Sequence, residues 1–222
     1  MDKKEHGENF SSPSDNLHIT NVQNWGTTGE VLKIYLSNGS SFFISAGEYG
    51  RSDLKVGNEL SENDILFLHT EDEYITTRQK ALSLLDYSEN SAFQLKTKLL
   101  RKGCSKTAMD RVVAELEAAG YVDDRRYAEM WIRSRIRNRP AGGPVLIGLL
   151  RKRGISREIA ETVVREQLEE MDTSVLLMNA AEKLRKNRTM SPEKMKNRLL
   201  KLGFPFSEVR EYLENFISDE NC

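Results

Sequence analysis

The feature that most constrains the fold of this chain is a repeat of about 50 residues in its C-terminal part. Gly103, Gly154 and Gly203 lie 51 and 49 residues apart, and each follows a basic segment that contains Leu-Leu. A glycine directly after a helix lets the backbone turn through the left-handed region, so each glycine is expected to separate two helices. Repeats of this length are typical of stacked helical arrays, in which each unit buries its apolar face against the next.

A third apolar-periodic segment precedes each glycine-centred pair, at about residues 77–86, 124–138 and 174–187. Ser91, Gly143-Pro144 and Ser191-Pro192 are placed to begin the middle helices, because Ser is a favoured N-cap and Pro suits the first turn. We therefore predict a mainly α-helical protein with three tandem three-helix repeats in an elongated, curved array, over residues 77–123, 124–172 and 173–222. The alternative is one nine-helix globule in which the similarity of the three segments is accidental.

The N-terminal part of the chain has a different pattern, which is typical of β-strands. Apolar residues alternate along residues 31–36, and Asn38-Gly39 predicts a two-residue type I′ turn before the next strand. Ser61 and Asp64 have the spacing of a capping box, which predicts a short helix. Ahead of the helical repeats we therefore predict a disordered tail over residues 1–15 and a small β-rich domain over residues 16–75.

Charge divides the chain near the same boundary. Residues 1–76 contain five Lys and Arg against 13 Asp and Glu, whereas residues 77–222 contain 28 against 21. Residues 125–157 contain ten basic residues and one acid, Glu129. Such an asymmetry favours a polyanion or an acidic protein as partner of the helical part. The acidic β-rich domain either mimics DNA, docks on a basic protein surface, or serves solubility, which is the simplest interpretation.

Two adjacent acids, Asp123 and Asp124, precede an arginine-rich helix. Asp123 is placed as its N-cap, where a carboxylate accepts the free N–H groups of the first turn. Val122 and Tyr127 then take the positions of a hydrophobic staple. A metal or acid–base site would need further ligands that converge on the two acids, whereas the neighbouring residues are arginines. We therefore interpret the acids as the start of a helix.

The arginines of this helix and of the segment after it form a candidate basic surface. At about 100° per residue, Arg126, Arg133 and Arg137 fall on one stripe of the helix. The full set of basic residues is Arg126, Arg133, Arg137, Arg139, Arg151, Lys152 and Arg153. Fixed arginines suit bidentate contacts with phosphate or carboxylate groups, although a solvated stripe that only aids solubility explains the charge equally well.

The opposite side of the same helix is apolar. Tyr127 and Trp131 fall on this side, and we expect both in the core rather than on a base-stacking surface. Arg135 falls among these apolar residues. An unpaired buried guanidinium is unfavourable, so we expect a neighbouring helix to supply a carboxylate partner for Arg135 as a structural ion pair.

The sequence lacks the signatures of the common enzyme classes. It contains neither a phosphate-binding G-x-x-x-x-G-K-[ST] loop nor a G-x-S-x-G elbow. The three histidines, His6, His18 and His69, have no metal-ligand spacing, and Cys104 has no histidine partner, which favours a packing role. We predict a non-enzymatic protein without metal or cofactor. The absence of a long apolar segment and of a secretory leader, together with two cysteines in all, favours the cytoplasm.

Three motifs resemble the RecX regulatory proteins of bacteria. They are "LLRKG" at residues 99–103, "AGYVDDRRYA" at residues 119–128 and "GGPVLIGLLRKRGI" at residues 142–155, within a similarity that covers about residues 78–217. The positions that match apparently structural residues of that family are Leu95, Leu99, Gly103, Gly120, Tyr127, Gly154 and Ile155. The sequence "DYSENS" at residues 86–91 replaces a basic loop of many relatives, and many relatives lack the β-rich residues 16–75.

The resemblance implies an all-α modular protein that binds the filament of the RecA recombinase. We separately expect the protein to be monomeric. Proteins of this family lie along the helical groove of the filament, block strand exchange and ATP hydrolysis, and promote disassembly. The seven basic residues of the candidate surface would then face the filament or its single-stranded DNA. Two other hypotheses are a direct DNA-binding regulator, with helix pairs around Gly103 or Gly154 in the major groove, and a helical scaffold for other proteins.

Overall fold

The computed structural model describes residues 17–185 and 190–220, with side chains in the last helix described as far as residue 215. The chain forms two compact units, residues 1–80 and 81–222. The tail predicted over residues 1–15 lies outside the described residues. In the described part, no helix is both long enough and apolar enough to cross a membrane.

The first unit contains a three-stranded antiparallel sheet in the order β1-β2-β3. Its elements are β1 (Ile19–Trp25), β2 (Val31–Leu36), β3 (Ser41–Ser45), α1 (Ala46–Arg51) and most of α2 (Glu62–Tyr87). In β2 and β3, Ile34 and Leu36 alternate with more exposed residues, as do Phe42 and Ile44, so one face of the sheet is apolar. This face packs into a core with Leu68 of α2, which confirms the predicted β-rich region.

The connection between β2 and β3 differs from the predicted type I′ turn. Such a turn needs positive φ at both central residues, and among the described residues only glycines have positive φ. Gly39 has a φ of +83°, and the Leu36 N–H donates to the Ser40 carbonyl at 2.9 Å. The Asn38 side chain accepts the Ser40 N–H at 2.9 Å, which holds a wider turn with only the glycine in the left-handed region.

The prediction of a short helix after Ser61 and a separate helix over residues 77–86 was wrong. Helix α2 is continuous from Glu62 to Tyr87, because no Gly or Pro interrupts this stretch. The predicted capping box is confirmed: the Ser61 N–H donates to Asp64 Oδ2 at 2.9 Å, and the Asp64 N–H donates to Ser61 Oγ at 3.2 Å. The division of the chain between the two compact units, after Lys80, falls within the residues of this helix.

The second unit contains the last residues of α2 and three groups of helices. The further helices are α3 (Ala92–Arg101), α4 (Lys106–Ala118), α5 (Asp124–Asn138), α6 (Gly143–Arg151), α7 (Arg157–Glu169), α8 (Thr173–Arg185), α9 (Pro192–Lys201) and α10 (Phe206–Glu220). Helix α3 packs on α4, α7 packs on both α5 and α6, and α8, α9 and α10 pack on one another. The predicted three-helix repeats are thus confirmed, except that the end of α2 replaces the separate first helix of the first repeat. Residues 186 and 187, the end of one predicted helix, lie outside the described residues.

The predicted helix boundaries at the three glycines are confirmed. Gly103, Gly154 and Gly203 follow the middle helix of each group with φ values of +76°, +85° and +85°. Ser91 and Ser191 are N-caps, and their hydroxyls accept the N–H groups of Gln94 and Lys194. Helix α6 begins instead after Gly142, without a side-chain cap.

The middle helices of the three groups are α3, α6 and α9. The starts of α3 and α6 each dock on the turn at the glycine that follows the middle helix of the next group. Ser91 Oγ donates to the carbonyl of Arg153, the residue before Gly154, at 2.7 Å. In the same way, the Gly142 N–H donates to the carbonyl of Leu202, the residue before Gly203, at 2.8 Å. The N-cap residue of one middle helix therefore contacts the equivalent carbonyl of the next group in both places.

This docking leaves no room for a side chain at Gly142 or at Gly154. A Cβ on Gly142 would lie 2.1 Å from the Gly203 carbonyl oxygen, and a Cβ on Gly154 would lie 2.1 Å from the Phe93 Cβ. Atoms at that distance overlap, and neither neighbour is the far end of a flexible side chain. The close approach of the three groups therefore requires glycine at these positions.

We expect opposite effects from alanine at Gly142, the N-cap of α6, and at Gly148 within α6. Gly142→Ala places a methyl group against the backbone of the third group and is expected to lower the free energy of unfolding by about 1–3 kcal/mol. Gly148→Ala lies within the same helix, where a Cβ meets nothing within 4 Å, and it is expected to raise stability by about 0.5–1 kcal/mol. Urea denaturation followed by circular dichroism measures both values. Equal stability of the two variants would show that the docking contact tolerates a side chain.

Candidate functional site

The arginine-rich helix α5 is held at its start by the two acids that precede it. Asp123 is the N-cap, and its carboxylate accepts the N–H groups of Arg125 at 2.8 Å and Arg126 at 3.0 Å. Asp124 instead accepts the N–H of Ala92, at the start of α3, at 2.9 Å. Both acids thus cap helices, as predicted for Asp123. No group of three His, Cys, Asp or Glu is placed to hold a metal in the part of the chain that the structure describes.

One side of α5 is buried in the core of the second and third helix groups. Tyr127, Ala128, Ile132 and Ile136 are all buried, which confirms the predicted apolar side. Trp131 is only half-buried, so its expected place in the core was only partly right. The guanidinium carbon of Arg153 lies 4.3 Å from the centre of the Trp131 ring, in a cation–π contact.

The first turn of α5 carries arginines that are neutralised within the molecule. Arg125 pairs with Glu129 at 3.1 Å and with Glu166 at 2.6 Å. Arg126 pairs with Glu89 at 3.1 Å and donates to the carbonyls of Gly120 at 3.0 Å and Tyr121 at 3.1 Å. The Arg126 guanidinium therefore ties the turn after α4 to the loop before α3.

The predicted arginine stripe forms one wall of a surface groove. Arg126, Arg133 and Arg137 line a cavity of about 350 Å³ together with Met130. Arg133 Nε donates to the uncharged Gln167 side chain at 3.1 Å. The structure thus brings the three predicted residues together.

A second groove, of about 480 Å³, adjoins the first and is shared by the second and third helix groups. Arg133 and Arg137 line it from α5, Met171 follows α7, and Lys183 lines it from α8. Lys183 Nζ donates to the carbonyls of Arg137 and Asn138, the second at 3.1 Å, and so caps the C-terminus of α5. Sequence patterns could not indicate this role of Lys183, because Asn138 and Lys183 lie 45 positions apart.

The predicted carboxylate partner of Arg135 is absent among the described residues, so that prediction was wrong. The Nε atom of Arg135 is buried and has no hydrogen-bond partner. Burial, followed by the charges of Arg139 and Arg153, lowers the pKa of Arg135. The surroundings of this guanidinium are therefore basic instead of acidic.

Arg153 is fixed in place by contacts that leave its charge unneutralised. Its guanidinium stacks on Trp131, and its Nη1 donates to the Leu149 carbonyl at 3.1 Å. Its own backbone carbonyl accepts the Ser91 hydroxyl. Neither partner of the guanidinium carries a negative charge, so Arg153 presents a preorganised cation.

Seven cations of α5 and α6, or of the residues that directly follow these helices, lack a carboxylate partner in the described part of the chain, and we call them the unpaired basic cluster. None of them has an ion pair with a carboxylate within residues 17–185 and 190–215. The members are Arg133, Arg135, Arg137, Arg139, Arg151, Lys152 and Arg153. Arg126 belonged to the predicted basic surface but is neutralised, whereas Arg135 was expected to be neutralised and is not.

Comparison with known proteins identifies the family of the helical part. Residues 78–116 match the first three-helix domain of RecX, and residues 123–164 match the second. Regulatory protein RecX of Treponema pallidum is 37% identical over 133 residues, which are 60% of this chain and 80% of the relative. The chain belongs to the RecX family of regulatory proteins.

The similarity to RecX proteins extends beyond the helical part. Regulatory protein RecX of Clostridium acetobutylicum is 25% identical over 211 residues, which cover 91% of this chain and 98% of the relative. A crystal structure of regulatory protein RecX superposes with a TM-score of 0.72 at 21% identity and covers 90% of this chain and 99% of its own. This share of the chain includes most of the first unit, so the β-rich fold occurs in at least one other member of the family.

We expect the two arginines at the ends of the stripe to differ in their contribution to stability. Arg126→Ala removes hydrogen bonds to Glu89 and to two carbonyls, and it is expected to lower the free energy of unfolding by about 1–2 kcal/mol. Arg137→Ala removes a side chain without such partners in the described part, so its effect is expected to stay within about 0.5 kcal/mol. Urea denaturation of both variants tests this difference. A loss for Arg137→Ala as large as that for Arg126→Ala would contradict it.

Proposed function

We propose that this protein is a non-enzymatic regulator that binds the RecA–single-stranded DNA filament in its helical groove. Binding inhibits ATP hydrolysis, strand exchange and the stability of the filament, and so modulates recombination and DNA repair. The protein acts as a monomer in the cytoplasm, where the recombinase works. Membership of the RecX family supports this partner, and the observation that carries the proposal is the unpaired basic cluster on the second helix group.

The charge state of the cluster suits a negatively charged partner. An arginine that already pairs with a carboxylate gains little from a second anion, because it must share or exchange its partner. The cluster holds seven cations without such a partner, and most of them are exposed. A filament groove that contains a nucleic acid strand presents phosphates, which provide the opposite charge and speed association.

The repeat architecture supports contact with several protomers of a filament at once. The three helix groups follow one another, and the middle helix of each of the first two begins at a hydrogen bond to the residue before the glycine of the next group. A filament likewise repeats one protein surface along its groove. Several weak contacts on one chain raise the overall affinity because each binding event makes the next intramolecular.

The first experiment is a titration of DNA-dependent ATP hydrolysis by the cognate recombinase, assembled beforehand on single-stranded DNA. Substoichiometric amounts of the protein are expected to lower the rate. Arg133→Glu combined with Arg137→Glu reverses two charges of the cluster and is expected to weaken binding to the filament by about tenfold or more, because like charges then face each other.

The matched control reverses two arginines outside the cluster. Arg157 and Arg210 are exposed, and in the described part of the chain they pair with Glu161 and Glu214, one helical turn away. Arg157→Glu combined with Arg210→Glu changes the net charge equally and is expected to alter filament affinity less than about threefold. Undiminished binding by a folded Arg133/Arg137 variant would remove the cluster from the interface. Sequence-dependent binding to naked duplex DNA, without an effect on the recombinase, would favour a direct DNA-binding regulator instead.

A further inference from the structure

We infer that one side of the sheet in the first unit binds the bases of single-stranded DNA. Trp25, Tyr35 and Phe43 stack on bases, and Lys33 contacts a phosphate. We call these four residues the aromatic face. The inference goes beyond the proposed function, because the site lies in the first unit, outside the unpaired basic cluster, and its DNA binding needs no recombinase.

The register of the three strands places the four side chains on the same side of the sheet. Lys33 and Tyr35 lie two positions apart in β2, so they point to the same side. Phe43 lies directly across from Lys33 in β3. In β1, Gln23 lies directly across from Lys33, and Trp25 follows two positions later. The aromatic face therefore extends over all three strands.

The ammonium group of Lys33 lies at the junction of the three rings. Its nitrogen is 5.2 Å from the centre of the Trp25 ring, 5.1 Å from that of Tyr35 and 5.5 Å from that of Phe43. The centres of the Trp25 and Phe43 rings are 5.1 Å apart, with an angle of 52° between the planes. No carboxylate pairs with Lys33 within the described residues. Its charge is therefore held in place by the rings but is not neutralised.

The aromatic face is accessible from solvent. In the described part of the chain, the apolar core of the first unit includes none of the three rings. Trp25 keeps 45% of its surface exposed, although Lys33 and Phe43 lie beside it. Tyr35 and Phe43 are half-buried. A base can therefore reach the Trp25 ring directly, and the neighbouring rings continue the surface along the sheet.

The remaining residues on this side of the sheet favour a nucleic acid over a protein as the ligand. Aromatic rings on an open sheet stack on bases, and amide and hydroxyl groups hydrogen-bond to base edges. The centre of a protein interface is instead more apolar. By the strand register, the other positions on this side are Asn21, Gln23, Val31, Ser41 and Ser45. They are mostly amides and hydroxyls, and none is acidic, although residues 1–76 contain 13 Asp and Glu.

The negative charge of the first unit acts differently from the contacts at the aromatic face. Exposed charges more than about 8 Å apart are largely screened at physiological salt concentration. The aromatic face itself carries only the positive charge of Lys33. Stacking depends less on salt than phosphate contacts do, because it releases no counterions. We therefore expect DNA binding at this face to be less sensitive to salt than binding at the unpaired basic cluster.

The first test follows the fluorescence of Trp25 in the full chain, without recombinase. Trp25 and Trp131 are the two tryptophans of the sequence, so Trp131→Phe leaves Trp25 as the reporter. A base that stacks on an indole ring quenches its emission, and titration with oligothymidylate is therefore expected to quench Trp25.

The second test measures affinity by fluorescence anisotropy of fluorescein-labelled oligothymidylate at several salt concentrations. Trp25→Ala is expected to weaken binding by about fivefold or more, because one stacked base is lost. Trp25→Phe keeps an aromatic ring and is expected to retain most of the affinity. Lys33→Gln is expected to lower the magnitude of the slope of log affinity against log salt by about 0.7, which corresponds to one phosphate contact on a single strand. Trp25→Ala is expected to leave that slope unchanged.

The matched control is an exposed aromatic residue outside the sheet that also lies beside a lysine. Phe206 is 53% exposed, and Lys196 Nζ lies 4.7 Å from the centre of its ring. Phe206→Ala is therefore expected to change the affinity for oligothymidylate less than about twofold.

The outcomes either support the site or overturn it. Quenching of Trp25 together with a loss of affinity in Trp25→Ala supports it. No binding to oligothymidylate, binding without quenching of Trp25, or equal affinities of Trp25→Ala and Phe206→Ala would overturn it. Loss of affinity for the recombinase filament in Trp25→Ala, with unchanged oligothymidylate binding, would assign the aromatic face to a protein partner instead. Because these DNA titrations contain no recombinase, their result is independent of whether the protein inhibits ATP hydrolysis.

Discussion

The second unit depends on close contacts in which the start of one middle helix lies against the backbone of the glycine turn of the next group. The contact at Gly142 has no room for even one methyl group, so the spacing of the second and third groups is fixed by main-chain atoms. The equivalent contact of the first two groups uses the carbonyl of Arg153 as acceptor. The same hydrogen bond that joins two groups therefore holds the backbone from which one member of the unpaired basic cluster projects.

Helix α5 performs two different tasks along its length. Its first turn is neutralised, because Arg125 and Arg126 pair with Glu129, Glu166 and Glu89. Its last two turns carry arginines without carboxylate partners in the described part, and the helix ends under a cap from Lys183. A positive side chain near a helix C-terminus is favourable for the helix dipole, so these cations stabilise α5 locally while their charge stays available to a partner.

Sequence periodicity was sufficient for the helix groups and insufficient for the charge pairing. The glycines after the middle helices, the Asp123 cap and the buried side of α5 follow from local rules, because their physical causes lie within a few residues. The ion pair of Arg126 with Glu89 was missed because the two residues lie 37 positions apart. The carboxylate partner expected for Arg135 is likewise not found in the described part, since the neighbours of that side chain come from other helices. The continuous α2 was missed because an acidic, polar stretch without Gly or Pro resembles a linker in composition yet remains compatible with a helix.

The arrangement of carboxylates decides which arginines of this chain are available to a partner. The formal net charge of −1 hides this, because the acidic excess of residues 1–76 offsets the basic excess of residues 77–222. Within the second helix group, Glu129 and Glu166 lie beside Arg125 and not beside Arg135. A carboxylate next to Arg135 would remove its repulsion from Arg139 and Arg153 and satisfy its buried Nε atom. The folded chain leaves that repulsion in place, so the positive charge of this region is not offset from within the described part of the chain.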